Sequence, residues 1–305
     1  MDNNCLDVIV IGGGPGGYCA ALYAARANLS TMVIEKFAPG GQMATTEIVE
    51  NYPGFVDGIN GFELGMQMKK GAERFGVKTK LAEVKSVELD KNPKLIHTAK
   101  ETFEAKTVIL ALGAFPRELG LSNENQLVGN GVSYCAVCDG AFFKGQTVGV
   151  VGGGNSALQE AVLLSDLCEK VYVLQNLPYL TGEKKLVDIL ESKSNVEFIL
   201  EATVAELQGE NELSGVKLNT KDGEKEISLN GLFVAIGLEP KNSAFADVTN
   251  LDSNGYFDSD ESCVTKSEGI FVAGDCRKKS IRQITTASAD GAVAALAACR
   301  YIDNK

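Results

Sequence analysis

Asp7-Val8-Ile9-Val10-Ile11 followed by Gly12-Gly13-Gly14-Pro15-Gly16-Gly17 is the stretch on which the fold turns. The first five residues form a continuous apolar, β-branched run of the kind that buried parallel strands carry. The glycines at 12, 14 and 17 fit GxGxxG, and an alanine-rich helix is expected from Tyr18 to Asn28. A second strand, Thr31-Met32-Val33-Ile34, ends at Glu35, 23 residues after Gly12. Each piece has a mechanical reason. Glycines let backbone N–H groups approach a pyrophosphate at the helix start, and an acid at the end of the second strand can bind both hydroxyls of a ribose. The motif alone is weak evidence; between a strand and a helix, with the acid in place, it reads as a dinucleotide site.

Glu35 disfavours a phosphorylated ribose, so this site should hold FAD or NAD. The loops that follow contain Gly40-Gly41-Gln42 and Glu50-Asn51-Tyr52-Pro53-Gly54. Gln42 and Asn51 can hydrogen-bond a flavin ring edge, although taken alone they are ordinary loop residues. An amphipathic helix is expected over 56–75, then strands around 77–80, 83–89, 95–98 and 107–110. His97, the only histidine, falls in one of these strands and reads as structural, with no acid or second histidine adjacent in sequence. Gly113 to Pro116 looks like a crossing between domains.

Thr147-Val148-Gly149-Val150-Val151 opens a second copy of the first design. Its loop, Gly152-Gly153-Gly154-Asn155-Ser156-Ala157, reads GxGxxA; a helix from Leu158 to Leu167 and a strand Val171-Tyr172-Val173-Leu174 follow. This arrangement would normally imply a nicotinamide dinucleotide. At the strand end, however, stands Gln175-Asn176-Leu177-Pro178-Tyr179-Leu180-Thr181-Gly182. It contains no acid for a ribose diol and no arginine to pair a 2′-phosphate. Lys184 and Lys185 lie further on, without two-pronged arginine geometry. The chain returns through Gly231–Gly237 and Pro240 to Ile270-Phe271-Val272-Ala273-Gly274-Asp275, where a carboxylate can accept from a ribityl hydroxyl. Arg282-Gln283 and a helix from Thr286 to Arg300 close the sequence; the start of that helix can face a flavin pyrimidine edge and favour the anionic reduced flavin. Cys276 reads as a small buried residue.

Between the two copies lies Tyr134-Cys135-Ala136-Val137-Cys138-Asp139-Gly140. Two cysteines separated by two residues can close a disulfide within one helical turn. If Cys138 lies near a helix start, its thiolate would be stabilised there, and a buried Asp139 can shuttle the proton. Half of a zinc site is the bland alternative. A structural zinc needs about four Cys/His ligands, and the remaining cysteines are isolated, so a redox pair with no metal is the better reading.

With 305 residues, 45% of them hydrophobic, 33 glycines and 7 prolines, the chain is expected to form two α/β domains. The formal charge of −11 disfavours nucleic-acid or anionic-lipid binding. No run is apolar for long enough to cross a membrane. The N-terminus passes into a strand pattern with no basic region or cleavage-type site, so a cytoplasmic enzyme with reduced scattered cysteines is expected.

GGGPGG, GGQ, ENYPG, CAVCDG, GGGNSA, FVAIG and GIFVAGD, in this order and at these separations, resemble the low-molecular-weight thioredoxin reductases nearly end to end. The resemblance implies an α/β fold of two Rossmann-like domains, one inserted in the other. The discontinuous FAD domain would comprise 1–113 and 241–305, and the inserted NAD(P)-like domain 114–240 would carry the disulfide. It also implies a homodimer whose small domain rotates, with hinges near Gly113–Pro116 and Gly237–Pro240. Carried over residue by residue, Cys138 would face the flavin, Cys135 would attack the disulfide of a thioredoxin-like protein, and Asp139 would serve as acid–base. FAD would be bound by Gly12, Gly14, Pro15, Gly17, Glu35, Gly41, Gln42, Asn51, Gly113, Gly274, Asp275, Arg282 and Gln283. One stretch departs. NADPH-dependent members carry His-Arg-Arg-x-x-x-Arg where this chain has Gln175, Asn176, Leu177 and Thr181. The chain therefore resembles the ferredoxin-dependent flavin thioredoxin reductases, the alternative being retained NAD(P)H use, since GGGNSA is intact. A flavin suits such a donor because it accepts electrons singly or in pairs. An acidic ferredoxin would need a basic patch, and Arg277, Lys278, Lys279 and Arg282 are the candidates, although a solvated charge run is an equal reading.

Overall fold

The computed structural model describes residues 5–46, 48–49 and 51–305. Glu50 of the ENYPG stretch and the first four residues lie outside the described residues. The chain forms two units, one running to Phe115 and resuming at Glu239–Lys305, the other Pro116–Leu238.

In the first unit, β1 (Cys5–Ile11) is central, with Val8, Ile9 and Val10 wholly buried. Helix α1 (Pro15–Arg26) starts earlier than Tyr18 because Pro15 occupies its first turn, where a missing N–H costs nothing, and Gly14 caps it. β2 (Thr31–Glu35) follows. Helix α2 (Gly61–Glu73) is shorter than the expected 56–75. The Asn60 side chain accepts from the N–H groups of Phe62 (3.1 Å) and Glu63 (3.2 Å), and Gly58 has φ +74°, so the helix begins there and no earlier. Next come β3 (Lys78–Leu81), β4 (Val84–Glu88), β5 (Lys94–Thr98) and β6 (Thr102–Leu110). The order β3-β2-β1-β6 is parallel throughout, so β1 lies between strands reached by opposite crossovers, and the crevice for a dinucleotide opens there. His97, on β5, has Nε2 2.9 Å from Glu88 Oε1 and Nδ1 2.9 Å from Thr102 Oγ1. An acid thus does stand beside it, supplied by the neighbouring strand, where sequence adjacency could not reveal it.

The chain leaves through β7 (Phe115–Pro116). The second unit then runs α3 (Glu124–Leu127), β8 (Val132–Ser133), α4 (Ala136–Asp139), β9 (Thr147–Val151), α5 (Asn155–Leu167), β10 (Lys170–Leu174), α6 (Lys184–Glu191) and β11 (Val196–Ile199). A three-stranded antiparallel sheet, β12 (Ala202–Gln208), β13 (Gly215–Thr220) and β14 (Gly223–Ser228), precedes β15 (Gly231–Val234). The main sheet is parallel in the order β11-β10-β9-β15-β8, the same crossover pattern as in the first unit. β16 (Leu238–Glu239) pairs with β7, so the two crossing segments form a short ribbon.

Back in the first unit, β17 (Ile270–Val272) joins β6 beyond the point where β5 leaves it: Phe103 and Ala105 face β5, and Val108 to Leu110 face β17. Helix α7 (Ile284–Asp303) packs on α1 so closely that a Cβ on Gly291 would lie 2.2 Å from the Gly16 carbonyl oxygen. Among the described residues no helix is long and apolar enough to cross a membrane.

Candidate active site

Cys135 and Cys138 are joined as a disulfide, their Cα atoms 5.3 Å apart. The sequence reading turned on whether Cys138 lies near a helix start, and it lies in the first turn of α4 (Ala136–Asp139). Cys135 is the N-cap of α4, its sulfur accepts from the Cys138 backbone N–H at 3.2 Å, and Cys138 sits inside that turn. The sulfur that accepts this N–H is that of Cys135, because the backbone stays extended through Cys135 and turns helical only at Ala136. Asp139 is held by a residue that sequence reasoning missed. The Ser133 hydroxyl donates to Asp139 Oδ2 at 2.5 Å and accepts from the Cys135 N–H at 3.1 Å, tying the acid to the strand that enters the turn. A hydroxyl two residues before the first cysteine was the available signal. Tyr134 is anchored likewise. Its hydroxyl donates to Glu124 (2.8 Å), a buried carboxylate that also takes the N–H groups of Leu119 and Gly120 at 2.8 Å each. Burial first, and then the Glu124 contact, pushes the Tyr134 phenol upward.

In the first unit the sequence-named residues converge from distant segments. Gly12 has φ +107°, and a Cβ there would stand 2.2 Å from the Ala111 carbonyl oxygen, so only glycine fits. The start of α1 carries no side-chain cap, leaving its N–H groups to a ligand. Glu35 is buried, accepting from the N–H groups of Gly13 (2.6 Å) and Phe37 (2.8 Å). Gly41 closes over Gly14, to which a Cβ would come within 3.3 Å, and Gln42 follows it, exposed. Asn51 Nδ2 donates to Gln283 Oε1 at 3.0 Å, joining residues 232 apart in sequence. Gly274, at φ +80°, lies beside the start of α1, its nitrogen 3.5 Å from where a Cβ on Gly16 would stand. Arg282 donates to the Asp275 carbonyl (3.3 Å) and lies 4.0 Å over the Tyr256 ring. Gly113, at φ +71°, borders open space.

These groups fit FAD. Asp275 Oδ1 is buried without a hydrogen-bond partner, and burial pushes its carboxyl above the usual range against the pull of Lys279 and Arg282. Such an orphan calls for a donor such as a ribityl hydroxyl. Glu35 would take the adenosine ribose, the start of α1 the pyrophosphate, and Asn51 and Gln283 a polar ring edge.

Asp290, which the sequence reading also passed over, braces this turn. Its carboxylate accepts from the Gly274 N–H (3.0 Å), from Arg277 Nε (2.9 Å) and from Lys279 Nζ (2.8 Å). That cluster overturns the basic patch proposed for docking. The Arg277 side chain is 2% exposed and that of Lys279 6%; both are turned onto Asp290, and Arg277 also pairs with Glu261 at 3.1 Å. Lys278 is exposed but pairs with Asp258 at 3.2 Å. An isolated acid in an alanine-rich helix was the signal that these cations turn inward.

The second glycine loop keeps its shape, with Gly152 at φ +130° and Gly154 capping α5. The end of β10 does not offer a ligand group. Gln175 is 5% exposed; its Nε2 donates to the Tyr179 carbonyl (3.2 Å) and its Oε1 accepts from the Asn176 N–H (3.1 Å). The N–H groups of Thr181 and Gly182 donate to the Gly153 carbonyl (2.8 and 2.9 Å). Tyr179 points outward, Leu180 packs into the apolar cluster of α5, and Lys184 and Lys185 are exposed at the start of α6.

Residues 6–291 match the model of the pyridine nucleotide-disulphide oxidoreductases. A thioredoxin reductase of Listeria monocytogenes is 43% identical over 97% of this chain and 94% of its own length. The crystal structure of Lactococcus lactis thioredoxin reductase (FR conformation) superposes with a TM-score of 0.82 at 37% identity, covering 98% of this chain and 100% of that one. A ferredoxin-flavin thioredoxin reductase from Clostridium acetobutylicum gives 0.53 at 29%, over 98% and 99%.

Proposed function

The chain belongs to the pyridine nucleotide-disulphide oxidoreductase family, and on that premise we propose that it is a thioredoxin reductase fed by ferredoxin rather than by NADPH. It is an FAD flavoprotein. We place it in the cytoplasm as a homodimer. When bound, FAD supplies a pair of electrons that can have arrived singly. The Cys135–Cys138 disulfide takes up two electrons and two protons to become a dithiol. The Cys135 thiolate, favoured by the Cys138 N–H, attacks one sulfur of the partner's disulfide, breaks that bond and releases a partner thiolate. Cys138 then attacks the Cys135 sulfur, re-forms the internal disulfide and releases the second partner sulfur. Asp139, fixed by Ser133, gives and takes the protons. Val137 (68% exposed), between the cysteines, and Phe142 (70%), just past them, present apolar surface suited to a protein substrate.

The observation that carries the donor reading is Gln175. At the one position from which a side chain would grip a nucleotide ribose, a neutral amide is buried and turned onto its own loop. Purified holoenzyme titrated anaerobically is expected to bleach with reduced ferredoxin and not with NADPH. Prompt bleaching by micromolar NADPH overturns the donor and leaves the disulfide chemistry standing. That second reading, an NAD(P)H-dependent reductase of thioredoxin or a peroxiredoxin-type partner, is favoured by the intact start of α5 and by the 43% identity to the Listeria enzyme.

A further inference from the structure

Beneath the disulfide lies an acid with no role in that scheme. Glu160 projects from α5, on which α4 is seated: Ala136 belongs to the same buried cluster as Ala157, Ala161 and Leu164 of α5, and a Cβ on Gly140 would meet Leu164 at 3.2 Å. The Ala136 backbone N–H, between the two cysteines, donates to the Glu160 carboxyl group. Glu160 Oε2 is buried with no hydrogen-bond partner at all. A buried carboxylate oxygen left this way costs far more as an anion than as a neutral hydroxyl.

We propose that Glu160 is a positioning residue for disulfide exchange, which holds the Ala136 turn beneath Cys135 and Cys138 while neutral and opposes the thiolate when it ionises. This inference rests on the reading of that pair as a redox dithiol. Burial pushes the Glu160 carboxyl up to about 7, against the smaller opposite pull of the Ala136 N–H. No charged side chain among the described residues contributes to that shift. On α4, Asp139 is engaged by Ser133; on α6, Lys184, Lys185, Asp188 and Glu191 are exposed. Below about pH 7 the acid is neutral and a thiolate at Cys135 meets no opposing charge. Above it, two anions share one poorly solvated region, so thiol ionisation is delayed and the thiolate in turn raises the acid's own pKa.

The test uses holoenzyme whose disulfide has been opened by a phosphine, so neither donor nor partner enters. Iodoacetamide alkylation of Cys135 is followed against pH in the native chain and in Glu160→Gln, which keeps the volume and an acceptor for Ala136. The expected result is a two-step profile for the native enzyme and a single step for the variant. The variant should react about threefold to tenfold faster near pH 8 and at the same rate below about pH 6. Superposable profiles overturn the proposal. Should the variant not fold, the infrared difference spectrum of the oxidised and reduced Asp139→Asn holoenzyme near pH 6 serves instead. A shifting protonated-carboxyl band supports the proposal, and its absence overturns it. If the phosphine releases no thiol pair, the dithiol reading falls and the proposal with it; if thiols appear and the profiles coincide, only Glu160 loses its role.

Discussion

The two glycine-rich loops differ far less in backbone than in what awaits a ligand. Gly12 and Gly152 both have positive φ (+107° and +130°), and each approaches the carbonyl of the strand beyond, where a Cβ would stand 2.2 Å from Ala111 and 2.5 Å from Ala235. At the end of the second strand, Glu35 and Gln175 are equally buried, 8% and 5% exposed. One is an acid holding the loop's own amides with lone pairs to spare, the other an amide that has satisfied itself. The first unit also has an ionic brace, Asp290 with Arg277 and Lys279, whereas the ion pairs of the second unit among the described residues all lie near the surface. A repeated fold therefore repeats the cradle and leaves the ligand to one side chain at its rim.

The harshest way to break this comparison is to close each cradle. Gly12→Ala should yield protein without flavin, since a Cβ 2.2 Å from a backbone oxygen must displace strand β1 or the Ala111 strand end. Gly152→Ala should lower the melting temperature but leave the flavin-to-protein absorbance ratio near that of the native chain. Equal flavin loss in both would show that the second cradle serves FAD binding.

Next comes the brace. Asp290→Asn leaves Lys279 buried without its anion and Arg277 with only the exposed Glu261 at 3.1 Å, and such a removal costs up to about 3–5 kcal/mol. Urea unfolding should register most of it, with weakened FAD retention because the Gly274 N–H loses its carboxylate acceptor. Burial alone would raise the Asp290 carboxyl, but the hydrogen bonds from Arg277 and Lys279 outweigh it and hold it below the usual range. A depressed folded-state pKa means stability present above the unfolded value, near 3.9, and lost as pH falls through the folded one. The native chain should therefore lose stability steeply below about pH 4, and Asp290→Asn should show a flatter acid limb.

Glu35→Gln converts the first rim to the chemistry of the second. Charge-assisted bonds are worth about 1.5–3 kcal/mol, so FAD should bind roughly 10- to 100-fold more weakly by equilibrium dialysis. An unchanged affinity would dissolve the contrast between the units. Ser133→Ala acts on the switch itself: releasing Asp139 should lower disulfide turnover about tenfold, less than the roughly 10²- to 10⁴-fold that a general acid–base group contributes outright, because the acid is loosened and not removed, with flavin content intact.

How much of this the sequence could tell depended on range. Gly12 to Glu35, the cysteine pair and Asp275 were legible because local spacing carries their meaning. Asn51 and Gln283 were nameable singly, but their 3.0 Å contact spans 232 residues and belongs to the fold. The Arg277 to Arg282 run read as surface charge because its anion, Asp290, lies a helix turn and a half into α7. Helix α2 was drawn too long because apolar periodicity continues past a cap it cannot register, the Asn60 side chain. Glu160 drew no reading within the expected helix from Leu158 to Leu167, because the turn that gives it meaning, α4, lies some twenty residues earlier in the chain and meets it only in the fold.

The subtlest experiment runs the rim substitution in reverse. Gln175→Glu places a carboxylate where Nε2 now donates to the Tyr179 carbonyl, so two oxygens would face each other across 3.2 Å. The 176–182 loop should yield, with a stability loss of about 1 kcal/mol, and the freed carboxylate would resemble Glu35 in offering a diol acceptor. If that one side chain decides the donor, anaerobic NADH should begin to bleach the flavin of the variant, slowly and without saturation at low concentration. NADPH should still fail, because Asn176, Leu177 and Thr181 supply no cation for its phosphate. If the variant stays as inert as the native chain towards NADH, the block lies in the loop backbone that Thr181 and Gly182 tie to Gly153 rather than in the charge at the rim.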